Sequence, residues 1–146
     1  MTKKPEKSVV QAWSRLIRAH RVALSKVEKS LKDSDLPPLA WYDVLLELQR
    51  AGRKGVRPFE LEGELLLPQY GLSRLLERMV LAGYVERKPH KEDRRGHVLA
   101  ITPAGREIRR RMWPIYGAAI ESAVGARLTD QEAVFLAKVL EKLLEE

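Results

Sequence analysis

Apolar and polar positions alternate along this chain with two different periods. Val9, Trp13, Leu16, Ile17, His20, Leu24, Val27 and Leu31 share one broad helical stripe, with Arg15, Arg18, Arg21, Lys26 and Lys29 mostly off it. That spacing predicts one long helix over residues 3–32. Asp33-Ser34-Asp35-Leu36-Pro37-Pro38 breaks it. Asp35 or a neighbour is a candidate cap for a second helix over residues 38–51, whose inner face carries Trp41, Val44, Leu45 and Leu48. Gly52-Arg53-Lys54-Gly55 reads as a turn, and Val56 as a single-residue bridge onto a sheet. Phe59, Leu61, Leu65 and Leu66 predict a short helix over residues 58–66. Leu72, Leu75, Leu76 and Met79 predict another over residues 68–82, with Pro68 in its first turn and Gly83 capping its end.

After Gly83 the period changes. Tyr84-Val85-Glu86-Arg87 and Val98-Leu99-Ala100-Ile101-Thr102 are strand-like runs. Pro89, a cluster of charge and Gly96 separate them, which makes a hairpin with a long loop. Helical spacing returns at Ile108, Met112, Ile115, Ala119 and Ile120, with Thr102 as N-cap and Pro103 in the first turn. Pro114 has no N–H to give and must kink or interrupt that helix. Thr129 and Glu132 are a capping-box signature for a last helix running to the end of the chain. Its candidate core is Val134, Leu136, Val139, Leu140 and Leu143.

These elements predict a mainly α fold with a small β-hairpin. A winged helix-turn-helix over residues 36–105 stands between an N-terminal dimerisation helix (1–35) and C-terminal dimerisation helices (106–146). In such a unit the second helix can enter a major groove and the hairpin loop a minor groove. The polar face of that second helix carries Gln69, Tyr70, Ser73, Arg74 and Glu77. The long terminal stripes exceed what one small lobe can cover, and a two-fold dimer in which they interlock buries them. Two reading helices then lie on one side, so the expected target is a near-palindrome.

Composition narrows the function. A chain of 146 residues, 45% of them hydrophobic, is one domain's worth or two small lobes sharing a core. No run approaches the ~20 apolar residues of a membrane span, and no apolar leader follows Met1, so the expected location is the cytoplasm, with no membrane partner. The absence of Cys excludes thiol redox sensing and thiolate-bound metals. The net charge of +7 is unevenly spread. Residues 1–32 carry nine basic and two acidic side chains and residues 84–111 nine and four, while the other two stretches are net negative. Basic surface near phosphates gives affinity by counterion release without sequence preference. No Gly-rich phosphate loop, no nucleophile with a matched base and no His-Glu-x-x-His motif is present, so neither an enzyme nor a cofactor is expected. His90 and His97 flank Glu92 and Asp93; a polar loop near phosphate explains them better than a metal, and none is assigned.

The reading unit resembles the multiple-antibiotic-resistance (MarR) family of winged-helix regulators. The resemblance rests on Leu61, Leu65, Leu72, Ser73-Arg74-Leu75-Leu76, Arg78, Gly83-Tyr84-Val85 and Arg87, then Asp93-Arg94-Arg95, Ile101-Thr102-Pro103 and Gly105. The flanking helices fit as well, so it covers nearly the whole chain. Its most specific part is the Asp-x-Arg wing followed in register by strand, Thr and Gly. Pro68, where a Ser, Thr or Asp cap is usual, and Glu62, where a small Ala is common, depart from it. The resemblance implies that Arg95 is the minor-groove contact, beside Arg94, and that Asp93 pairs with a nearby Arg to hold the loop. It also implies dimerisation through the termini and a pocket for amphipathic molecules such as aromatic acids. Trp13, His20, Trp41, Tyr42, Trp113 and Tyr116 are the candidates to line that pocket, set against the plainer reading of Trp13, His20 and Trp41 as core.

The expected function is therefore a homodimeric, sequence-specific regulator, a repressor of transcription that binds double-stranded DNA and is released by a small effector. The alternative is a winged-helix protein–protein interaction module. Tyr70 on the reading face keeps that alternative open, because a protein interface favours an apolar anchor there.

Overall fold

The structure, a computed structural model, describes residues 2–93 and 96–145. The elements follow in the order α1 (Lys7–Asp33), α2 (Leu39–Ala51), α3 (Pro58–Glu64), α4 (Leu72–Leu81), β1 (Val85–Pro89), β2 (His97–Ile101), α5 (Pro103–Ala123) and α6 (Asp130–Glu141). Short 3-10 turns at Gly52–Lys54 and Gly125–Arg127 follow α2 and α5. This is the expected mainly helical fold with a hairpin behind a helix-turn-helix.

Several boundaries differ from those the sequence predicts. α1 begins at Lys7 rather than residue 3, since Pro5 disfavours helical backbone at Lys4. Asp35 caps nothing; it takes a left-handed φ of 55° in the turn after α1, and α2 starts behind Pro38 with no side-chain cap. α6 ends at Glu141 instead of running to the last residue. α5 stays a single helix through Pro114. Both strands are five residues long, and β1 runs on to Pro89 at its end, where a missing N–H is tolerated. β1 pairs antiparallel with β2 from Val85↔Ile101 to Pro89↔His97, and Val56 forms the expected bridge to Leu99.

The chain divides into two compact units. Residues 31–115 hold α2 to α4, the hairpin and the first half of α5. Their core is fully closed at Leu31, Val44, Leu45, Leu48, Leu61, Met79, Leu99 and Met112. Residues 1–30 and 116–146 make the other unit, from most of α1, the end of α5, and α6. Among its described apolar side chains only Val27 and Ala119 are buried. No helix among the described residues is long and apolar enough to cross a membrane.

Candidate nucleic-acid interface

The reading helix starts later than its apolar period suggests. Residues 65–71 connect α3 to α4, so Pro68 lies in the connection and not in a first helical turn. Gly71 ends that connection at φ 75°, a left-handed conformation that helical backbone cannot pass through. Its carbonyl then accepts from the N–H groups of Arg74 and Leu75, which opens α4. The other end closes with Gly83 at φ 83°. Its N–H donates to the Val80 carbonyl while that of Tyr84 donates to Met79, the paired bonds of a Schellman stop.

Leu75, Leu76 and Met79 turn inward from α4, and Ser73 and Arg74 in its first turn are exposed. Tyr70 is fully exposed and Gln69 half-buried, but both belong to the connection rather than to the helix. The predicted reading set thus spans a loop and a helix start. Backbone at such a start has free N–H groups, which suits phosphate contacts as well as base contacts.

What holds the connection is a residue the sequence reading passed over. Asp43 on α2 is 6% exposed, the one buried charged residue among the described residues. Its Oδ1 accepts from the Leu66 N–H and its Oδ2 from the Leu67 N–H, both at 3.0 Å. Each carboxylate oxygen satisfies one donor of a turn that has no helix or sheet partner. The signal was legible: a lone carboxylate inside the run Trp41-Tyr42-Asp43-Val44-Leu45, all of which is buried or half-buried.

The wing is braced in a similar way. Arg57 Nη2 donates to Asp93 Oδ2 at 3.1 Å, the Asp–Arg pairing expected of the wing, and its guanidinium stacks over Phe59 at 5.3 Å. His90 Nδ1 accepts from the N–H groups of Glu92 and Asp93, and the His90 N–H donates to the Gly96 carbonyl. No group of three or more His, Asp or Glu that could hold a metal is found among the described residues. Arg94 and Arg95, the expected groove contacts, lie outside the described residues. At the base of the wing, Thr102 Oγ1 accepts from Gly105 N–H and donates to the Gly83 carbonyl, so one hydroxyl caps α5 and ties it to the end of α4.

The aromatic candidates do not gather as one set. Tyr42 is buried and stacks on Trp113, centroids 6.3 Å apart, with Arg109 Nη1 donating to its hydroxyl at 3.2 Å. Arg109 also donates to Gln49 Oε1 at 2.6 Å and lies over the Tyr42 ring. Nothing in the run of Arg106, Arg109, Arg110 and Arg111 marks Arg109 out in advance. Trp41 instead meets Tyr84 edge-on at 5.9 Å. Trp13, His20 and Tyr116 belong to the other unit, where Trp13 is 65% exposed and His20 is exposed too within the single chain.

Comparison with known proteins gives one consistent answer. Residues 34–96 match the MarR family. The multiple antibiotic resistance protein MarR of Escherichia coli K12 is 32% identical over 89 residues, 61% of this chain and 62% of that protein, so the match spans less than two thirds of it. The protein of the same name from Salmonella typhimurium is 30% identical over 103 residues, 70% of each chain. Among solved structures, a mutant MarR from E. coli complexed with operator DNA superimposes with a TM-score of 0.80 at 26% identity, covering 97% of this chain and 100% of that one.

Proposed function

The chain belongs to the MarR family of DNA-binding transcriptional regulators, and we propose that it acts as a homodimeric repressor on a near-palindromic operator. The observation that carries this reading is the pairing of an exposed α4 start with a braced wing in one closed unit. Gln69, Tyr70, Ser73 and Arg74 read base edges and phosphates, and Arg95, with Arg94 beside it, enters the minor groove while Asp93 keeps the loop in shape. Two copies meet through the unit of residues 1–30 and 116–146. An apolar groove of about 410 Å³ in that unit, lined in part by Val22, Val124, Leu128 and Leu136, supports such a pairing. The dimer works in the cytoplasm, where its DNA is.

Release by a small effector completes the proposal. Tyr42, Trp113 and the Arg109 guanidinium combine flat apolar surface with a cation, the chemistry that suits an aromatic acid. Such a ligand shifts DNA binding by its differential affinity for the two spacings of the reading helices.

The test is selection of bound fragments from a random DNA pool at near-physiological salt, followed by footprinting. A near-palindromic protected site, bound roughly 1,000-fold more tightly than unrelated DNA, is expected. Arg95→Ala should weaken that site by roughly 1–3 kcal/mol. Uniform, steeply salt-sensitive binding with no enriched sequence would reduce the protein to phosphate electrostatics and return the protein–protein reading to the fore.

A further inference from the structure

Behind the wing lies a cleft of about 540 Å³ to which the reading helix contributes none of the described lining residues. Arg53, Lys54, Arg57, Lys88 and Lys91 line it, brought together from the Gly52–Lys54 turn, the residue before α3, and the end of β1 with its following loop. Glu60 and Glu92 are the carboxylates among the described lining residues, so cations there exceed anions by three even with His90 neutral. Among the described residues no acid pairs with Arg53, Lys54 or Lys91, whereas Arg57 pairs with Asp93 and Lys88 with Glu86. Like charges crowded into one concavity repel each other, and folding alone gives no reason to gather them there.

We infer that this cleft is a seat for DNA backbone phosphates, which extends the contact beyond α4 and the minor-groove arginines. The inference rests on the DNA-binding reading above and adds a second, sequence-blind footing to it. Three observations select phosphate over other anions. The lining holds no Phe, Tyr or Trp on which a base or nucleotide ring could stack. The cations are spread over three segments of the chain, an arrangement that can meet successive phosphates of a strand. The cleft is also continuous with the wing: Arg57 is a wall of it and at the same time the hydrogen-bond donor to Asp93. Gly96 keeps that junction open, because a Cβ there would come within 2.7 Å of Arg57 Nη2 and 3.1 Å of Asp93 Oδ2. A phosphate seated against Arg57 therefore meets the side chain that braces the wing.

The test uses the full chain and the DNA site obtained by selection. Arg53→Ala combined with Lys54→Ala removes two exposed cations from the turn without breaking an ion pair among the described residues. Log affinity is measured against log salt concentration for wild type and variant, on the selected site and on unrelated DNA. The slope should become shallower by about 1.8, from two lost phosphates at ~0.9 each, with equal loss on both DNAs. An unchanged slope and affinity in a wild type that does select a site would overturn the seat and leave the regulator reading intact. A loss confined to the selected site would mean base contacts and overturn it as well. A wild type that selects no site would sink the functional reading, and the seat with it.

Discussion

Residues 31–115 close completely over Leu45, Leu48, Leu61, Met79, Leu99 and Met112, whereas the unit of residues 1–30 and 116–146 leaves Val9, Trp13, Phe135 and Leu144 more than half exposed. The first unit also exposes Phe59, Leu66 and Leu81, but it holds a closed core and the second, among the described residues, does not. Burial of apolar side chains is what offsets the backbone entropy lost on folding. The first unit holds nearly all of that burial within its own chain. In the second, only Val27 and Ala119 are buried among the described apolar side chains, which supports the pairing with a second copy proposed above. On the function proposed above, the first unit presents the DNA-reading groups and the second makes the dimer.

The comparison breaks first, and hardest, on α6. Leu136, Val139 and Leu140 fall at i, i+3 and i+4, and Leu136 and Val139 are 42% and 38% exposed. Leu136→Arg combined with Val139→Arg should give a monomer in sedimentation equilibrium. A monomer holds one half-site, so affinity for a near-palindrome should fall by at least ~1,000-fold, about 4 kcal/mol. Hydrogen exchange in β1 and β2 should stay slow, since that core is closed within one chain. A double variant that remains dimeric would move the interface off this stripe. Loss of protection in the strands would show that the first unit is not self-sufficient.

A smaller effect tests the exception inside the well-packed unit. Asp43→Asn keeps the volume but turns an amide NH2 toward one of the two N–H groups that the carboxylate now satisfies. Stability in urea should fall by roughly 1–3 kcal/mol, the cost of one unsatisfied buried donor. Discrimination between the selected site and unrelated DNA should narrow too, because the connection before α4 loses its anchor. Non-specific affinity should hold, as it depends on the basic surfaces. A variant with native stability and native discrimination would show that the connection positions itself.

That buried carboxylate also marks where the sequence was legible and where it was not. Element types followed from periodicity, because a stripe such as Leu72, Leu75, Leu76 and Met79 has one geometric meaning. The start of α4 did not, since Pro68 is equally at home in a first helical turn or in a loop. The choice was made by Gly71 and by Asp43, which is 23 residues from Leu66 in sequence and next to it in space. Asp93 does pair with an Arg, yet that partner, Arg57, lies 36 residues away among other arginines that look the same. The Tyr42–Trp113–Arg109 contact joins two helices more than 60 residues apart for the same reason. Local chemistry is written in the sequence, and long-range partners are not.

The smallest expected effect lies back in the deficient unit, where α6 depends on its own ends. Thr129 Oγ1 accepts from the Glu132 N–H and the Glu132 carboxylate accepts from the Thr129 N–H, a complete capping box. Thr129→Ala should cost about 1 kcal/mol. The backbone N–H of Thr129, followed by its side chain, holds the Glu132 carboxyl below the ordinary carboxylate range. A carboxyl that is more acidic in the folded state stabilises above its unfolded pKa and loses that contribution as pH falls through its folded one. Helicity of α6 should thus decline on acidification, and Glu132→Gln should flatten that part of the profile, read by amide exchange of residues 130–133. On the dimer proposed above, both variants should also loosen the pairing slightly, while the β1–β2 amides stay unmoved. Equal loss of protection in α6 and in the hairpin would mean that the two units unfold as one, and the contrast in their burial would then carry no division of labour.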